Sequence, residues 1–137
     1  MTEAPARILV IDDEQHQLDT VCRGLLLYGY DCQGVLSVEA ALDALASPED
    51  DGYDLVLTDL TMPGRSGLEL IEQVREQWPD LPIVVITGLA ATEETRLVRQ
   101  KNIPLLKKPF DPDTLDLTLR RALGRRHRHL IGRELTT

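Results

Sequence analysis

Four apolar runs in this 137-residue chain each stop at a side chain able to do chemistry. Ile8–Ile11 runs into Asp12-Asp13, Leu55-Val56-Leu57 leads to Asp59, Ile83–Ile86 to Thr87, and Leu105-Leu106 to Lys107-Lys108 just before Pro109. If these runs are neighbouring strands, roughly 4.8 Å apart, then Asp12, Asp13 and Asp59 converge in one small pocket. Three carboxylates that close repel strongly, and at least one takes up a proton unless a cation intervenes. Oxygen-only ligation with room for water suits Mg²⁺, with Mn²⁺ as the alternative. Lys108 adds a further positive charge and Thr87 a hydroxyl donor. An anion that needs a hard cation, an ammonium and a hydroxyl together is most simply a phosphoryl group. Asp59 is then a candidate nucleophile, because carboxylates form acyl-phosphate intermediates, with Mg²⁺ and Lys108 offsetting charge on the transferring oxygens.

That convergence requires a particular scaffold. Short apolar runs alternate with helical patterns, which predicts α/β with a parallel sheet. Five strands are expected, at Ile8–Ile11, a weaker Asp31–Val35, Leu55–Leu57, Ile83–Ile86 and Leu105-Leu106. Four of the five read as continuous apolar stretches, as strands covered on both faces do. Between them, Leu18, Val21, Cys22 and Leu25 recur at helical spacing, with Gly29 as a left-handed stop. Ser37 is the expected N-cap of a helix through Ala41, Leu42 and Leu45. Leu68, Ile71 and Val74 stripe a third helix that ends near Pro79, and a fourth, around Glu93–Lys101, has only Leu97 and Val98. Asp111-Pro112 opens the last helix, which carries Leu115, Leu119, Ala122 and Leu123. The expectation is (βα)5, a doubly wound parallel five-stranded sheet with helices on both faces. Its usual strand order, 2-1-3-4-5, sets strands 1 and 3 side by side and puts function outside the carboxyl ends of the strands.

Composition narrows the function classes. The length predicts one domain, large enough to bury roughly two-thirds of its unfolded surface. No apolar run approaches the ~20 residues that span a bilayer, and the N-terminus lacks a signal-peptide layout, so a cytoplasmic protein is expected. Cys22 and Cys32 show no metal-ligand or C-x-x-C spacing and read as reduced core residues. The net charge of −8 hides an asymmetry: six arginines from Arg120 onward face Glu134 alone, leaving 9 basic and 22 acidic side chains in the first 119 residues. So acidic a body argues against direct nucleic-acid binding. The basic tail has two readings, a surface for an acidic partner or nucleic acid and a solvated helix end running into a linker, of which the second is the more ordinary. Taken singly, each strand-end residue has a bland explanation: Asp59 as a turn or cap, Asp13 or Glu14 as favourable charges at a helix start, Thr87-Gly88 as a turn, Lys108-Pro109 as a loop. Together, at the ends of the appropriate strands, they form a constellation.

With these residues in place, the chain resembles the receiver domain of two-component response regulators from Arg7 to about Leu123. The resemblance rests on VIDDE, TDLTMPGRSG, the Thr-Gly after IVVI, and KPF ending in Phe110, with Pro63 four and Gly67 eight residues after Asp59. It implies a flavodoxin-like fold and a phosphorylation switch. Asp59 would accept a phosphoryl group from a sensor histidine kinase or a phosphotransfer protein. Asp13, Asp59 and the backbone carbonyl of Thr61 would bind Mg²⁺ directly, with Asp12 acting largely through water. Lys108, the lysine directly before the proline, would pair with the acceptor and then with its phosphoryl group, to which Thr87 would donate a hydrogen bond. A downstream protein or a fused output domain would read the change. The expected organisation is an N-terminal extension over 1–6, the receiver domain over 7–123, and a basic tail or linker start over 124–137, too short for an output domain.

The sequence departs from that pattern at Leu105, where the family usually carries an aromatic three residues before the lysine. Leucine has neither ring face nor hydroxyl, so the usual Thr–aromatic coupling is not expected here. Thr61 and Leu89 stand where they would tune the phosphoryl lifetime, and an apolar Leu89 would screen it from water. Two other functions compete. A phosphorylation-independent receiver-like interaction module would typically lack the acidic pair, the acceptor or the lysine, and this chain keeps all of them. A phosphatase of haloacid dehalogenase type wants a second acid two residues after its nucleophile, where this chain has Thr61.

Overall fold

In a computed structural model of the chain, residues 5–47, 52–60, 67–88 and 92–124 are described. Five strands and five helices alternate: β1 (Arg7–Ile11), α1 (Gln15–Leu27), β2 (Asp31–Val35), α2 (Val38–Ala46), β3 (Leu55–Asp59), α3 (Gly67–Gln77), β4 (Ile83–Thr87), α4 (Glu93–Gln100), β5 (Leu105–Lys107) and α5 (Pro112–Leu123). The strands form one sheet in the order β2-β1-β3-β4-β5, and every neighbouring pair is parallel. β3 lies between β1 and β4, and all five of its residues are buried.

Successive strand residues point to opposite faces, and this period of two sorts the core into two layers. Leu9, Ile11, Val56, Ile83 and Val85 pack on one side against Leu70, Ile71 and Val74 of α3, Val38 and Ala41 of α2, and Val98 of α4. Ile8, Val10, Leu55, Leu57, Val84 and Ile86 pack on the other side against Leu18 and Leu25 of α1 and Leu115, Leu119 and Leu123 of α5. Each fully buried aliphatic side chain contributes about 1.5–3 kcal/mol to holding the layers together.

Helix ends follow the local chemistry. The Ser37 hydroxyl accepts from Ala40 N at 3.0 Å, and the Asp111 carboxylate accepts from Thr114 N at 2.8 Å, with Pro112 in the first turn. Past the C-terminus of α1, Gly29 takes φ +91°, a backbone conformation open mainly to glycine.

Two expectations need correction. Cys22 and Cys32 are joined in a disulfide, with Cα atoms 5.7 Å apart, rather than standing as separate thiols. The Gly29 turn sends β2 back along α1, so Cys22 meets Cys32 while Leu18, one helical turn earlier, meets Gly34. A Cβ on Gly34 would lie 2.9 Å from Leu18 Cγ, so that glycine, which weakens β2 as a sequence signal, makes room for α1. In α4 the buried residues are Thr95 and Val98, with Leu97 only half-buried. Thr95 tolerates burial because its hydroxyl donates to Thr92 O at 2.9 Å and accepts from Thr92 N at 2.8 Å.

Candidate functional site

β3 delivers Asp59 as its last residue, 7% exposed. The ladder continues one step further, with Leu60 N donating to Ile86 O at 3.1 Å. Behind Asp59, Gly67 N donates to Leu60 O at 3.1 Å as α3 begins. A Cβ on Gly67 would sit 2.7 Å from Asp59 O and 2.9 Å from Leu60 Cα, both backbone atoms. Here glycine serves close approach, and any side chain would displace the strand end that carries Asp59. Thr61, whose backbone carbonyl is expected to bind the metal, and Pro63 lie outside the described residues, as does Leu89.

Asp12 follows β1 and extends its pairing, its N–H donating to Val35 O at 3.2 Å. Its Oδ1 accepts from Glu14 N at 3.0 Å. Glu14 in turn caps α1, its carboxylate accepting from His16 N at 3.2 Å and Gln17 N at 2.9 Å. So the helix-start role open to Asp13 or Glu14 falls to Glu14, and Asp13 stands exposed between the two. Asp12 Oδ2 is buried without a hydrogen-bond partner. Burial pushes the Asp12 carboxyl above its ordinary value; the Glu14 N–H opposes this, the negative charge of Asp59 adds to it, Lys108 opposes and Asp13 adds again.

Lys108 is anchored by its backbone, its N–H donating to Thr87 O at 2.8 Å beyond the end of β5, and the Lys108–Pro109 peptide is cis. Its ammonium donates to Asp59 Oδ2 at 3.0 Å and stands 3.8 Å from Asp12 Oδ2. Lys107 ends β5 on the exposed side of the register, opposite Thr87. Thr87 closes β4 and is buried. Gly88 is exposed, and a Cβ there would meet only Lys108 Cδ, at 4.0 Å. Leu105 is half-buried against the α2–α4 layer.

The structure therefore brings Asp12, Asp59 and Lys108 together, with Thr87 beside them through the Lys108 backbone. Among the described residues, no three acid, histidine or cysteine side chains form a ready-made metal-ligand group. The donor chemistry nevertheless fits a hard cation: an orphaned, buried carboxylate oxygen on Asp12, held against its charge by burial and by the nearby acids, is relieved by positive charge.

One participant was missed by sequence reasoning. Gln17 Oε1 accepts from the Lys108 ammonium at 2.6 Å. Nothing in an exposed glutamine on a helix surface signals a partner 91 residues away. Only the placement of α1 beside the loop from β5 to α5 reveals it. Between the same two elements lies a cleft of about 360 Å³, lined mainly by Val21, Leu25, Tyr28, Tyr30, Phe110 and Leu115 and reaching Lys108 at one end.

Comparison with known proteins points to one family and one fold. Residues 8–120 match the family model of the response regulator receiver domain. Among curated relatives, the chain is 35% identical to the response regulator protein FleR of Pseudomonas aeruginosa, over 87% of this chain and 25% of that one. It is 33% identical to the C4-dicarboxylate transport transcriptional regulatory protein DctD of the same species, over 97% and 28%. It is 37% identical to the response regulator MprA of Mycolicibacterium vanbaalenii, over 89% and 52%. The chain thus spans between a quarter and about half of the length of these relatives. Among solved structures, a response regulator receiver domain protein from Clostridium thermocellum superposes with a TM-score of 0.81 at 25% identity, covering 88% of this chain and 96% of that one. The chemotaxis protein CheY4 of Vibrio cholerae gives 0.75 at 28% identity, covering 87% and 99%.

Proposed function

Because this chain belongs to the response regulator receiver domain family of two-component signalling, we propose that Asp59 is the phosphoryl acceptor through which it is switched. The observation that carries the reading is the Asp59–Lys108 contact at 3.0 Å beside the orphaned oxygen of Asp12. An Asp59 carboxylate oxygen attacks the phosphorus of a sensor histidine kinase's phosphohistidine, or of a phosphotransfer protein's. A new P–O bond forms as the P–N bond breaks, and the imidazole leaves with the electron pair. Lys108 follows the charge from the carboxylate to the phosphoryl oxygens, and the Thr87 hydroxyl donates to one of them. Asp12, Asp13, Asp59 and the Thr61 carbonyl are the residues that would hold Mg²⁺, or Mn²⁺. When bound, that ion supplies charge neutralisation for an approaching anion.

The same groups would let the domain take a phosphoryl group from small donors such as acetyl phosphate, and would let water remove it again. Phosphorylation adds close to two negative charges and three acceptor oxygens, enough to bias Thr87 and the segment after it between two arrangements. With Leu105 in place of a ring, that bias travels by packing against the α2–α4 layer. The relatives that the chain only partly spans include proteins named as transcriptional regulators, which supports a fused output domain or a downstream partner as the reader. Among the described residues no helix is long and apolar enough to cross a membrane, in keeping with a cytoplasmic site of action and a kinase partner there. The acidic body leaves nucleic-acid contact to other parts. The phosphorylation-independent reading gains no support from the intact Asp12, Asp59 and Lys108 set.

Incubation with acetyl phosphate and Mg²⁺ should give one phosphoryl adduct per chain by intact mass, absent in Asp59→Asn and suppressed by chelator. An adduct that persists in Asp59→Asn at the wild-type level would sink the assignment.

A further inference from the structure

We propose that Gln17 is a positioning residue for Lys108, setting where the ammonium stands when the phosphoryl group arrives; this rests on reading Asp59 as the acceptor. A lysine side chain is a flexible four-carbon stem with three donors and considerable rotamer entropy. In a strand-end pocket that freedom works against catalysis, which gains from charge already aimed at the reacting atoms. Here the stem is fixed at both ends. Its backbone N–H is held by Thr87 O at 2.8 Å, and its ammonium is held by Asp59 Oδ2 at 3.0 Å and Gln17 Oε1 at 2.6 Å. Asp12 Oδ2, at 3.8 Å, is an ion-pair partner beyond hydrogen-bond reach.

The glutamine is itself placed by the turn that forms the acid pocket. Asp12 Oδ1 accepts from Glu14 N, and Glu14 Oε2 accepts from Gln17 N at 2.9 Å in the first turn of α1. The three links run from a pocket carboxylate through a helix cap to the side chain that grips Lys108. Because an ammonium only donates, it is the carbonyl oxygen of the Gln17 amide that must face it.

Neutrality matters as much as position. A glutamate at 17 would add a carboxylate beside Asp12 and Asp59, compete with Asp59 for the ammonium, and repel the incoming phosphoryl oxygens. An amide anchors the ammonium without spending its charge. It also grips from the helix side while Asp59 grips from the strand side. When charge moves from the carboxylate to the phosphoryl group, Lys108 can pivot about the Gln17 contact and follow it.

The test is the single-turnover rate of phosphorylation of the full chain by acetyl phosphate at saturating Mg²⁺, measured in a double-mutant cycle. Gln17→Met keeps length and helix propensity but removes the acceptor. It should slow phosphorylation about five-fold, within the range of one typical intramolecular hydrogen bond, with an unchanged thermal midpoint. Gln17→Glu should slow it at least as much. In a Lys108→Ala background, Gln17→Met should change the slow residual rate less than about two-fold, because the residue acts only through the lysine. The side-chain ¹⁵N signal of the Lys108 ammonium, protected from solvent exchange in wild type, should broaden in Gln17→Met. Wild-type speed in Gln17→Met, or the same five-fold loss in both backgrounds, overturns the Gln17 assignment alone. A wild type that takes no phosphoryl group at all overturns instead the acceptor reading beneath it.

Discussion

The two faces of the sheet are held by different means. On the α1/α5 side, polar links between residues far apart in sequence supplement the apolar layer. Tyr28 of the turn after α1 donates to Asp113 of α5. Tyr30 donates to Asp116 Oδ1 at 2.7 Å, and the second oxygen of Asp116 pairs with Arg120 at 3.1 Å. Hydrogen bonding to Asp113 pushes the Tyr28 hydroxyl up to about 12, and burial followed by the Asp116 bond pushes Tyr30 up as well. Cys22 is bridged to Cys32, and Gln17 reaches Lys108. On the other side, α4 is an eight-residue helix with two buried residues, Thr95 and Val98, and Arg75 of α3 donates to the carbonyl of Lys101 just past its end, at 3.0 Å. The braced face keeps the ammonium of Lys108 in register with the acids. The lightly held α4 is the element that a phosphoryl group on Asp59, acting through Thr87, is proposed to shift.

That contrast predicts unequal costs. Leu119→Ala, in the α5 layer and fully buried, should destabilise by roughly 2–5 kcal/mol in chemical denaturation. Val98→Ala should cost only about 1.5 kcal/mol, and its effect in hydrogen exchange should stay within α4 and its neighbours. Equal global losses from the two would erase the distinction between the faces.

Opening the Cys22–Cys32 bridge comes next. Its loop is short, with a sequence separation of 10, so reductant should lower stability by roughly 2–3 kcal/mol. Amide exchange should quicken in α1 and β2 and stay unchanged in α4. Faster exchange in α4 would mean that the bridge braces both faces.

The smallest effect concerns the start of α5. Hydrogen bonds from the Thr114 backbone and then its hydroxyl hold the exposed Asp111 carboxyl below its ordinary value of 3.8. A depressed carboxyl contributes stability above its unfolded value and loses it as pH falls through the folded one. The stability difference between wild type and Asp111→Ala should therefore be full near neutral pH and shrink as the solution is taken below 3.8. A difference that stays constant across that range would show that the cap acts through its shape and not its charge.

Most of the scaffold was legible because continuous apolar runs and cap residues act locally. Ile8–Ile11 and Ile83–Ile86 became strands within one residue of the expected ends, and Asp111-Pro112 opened α5 as expected. Asp12, Asp59 and Lys108 converge because their strands end on one side of the sheet. What stayed hidden depends on how elements lie against one another. Gly34 looks like a flaw in a strand until Leu18 is packed over it. The same antiparallel approach of α1 to β2 pairs two cysteines whose spacing carried no motif. Thr95 reads as surface until its hydroxyl is seen to be satisfied within its own turn. Gln17 has no signal at all in a linear reading.

The central claim is that the acid ending β3 is the one that takes the phosphoryl group. Chain treated with acetyl phosphate and Mg²⁺ can be reduced with borohydride, which converts an aspartyl phosphate to homoserine, then digested and mapped by mass spectrometry. The account predicts homoserine at position 59 alone. Homoserine at Asp12 or Asp13, with position 59 unmodified, would contradict it.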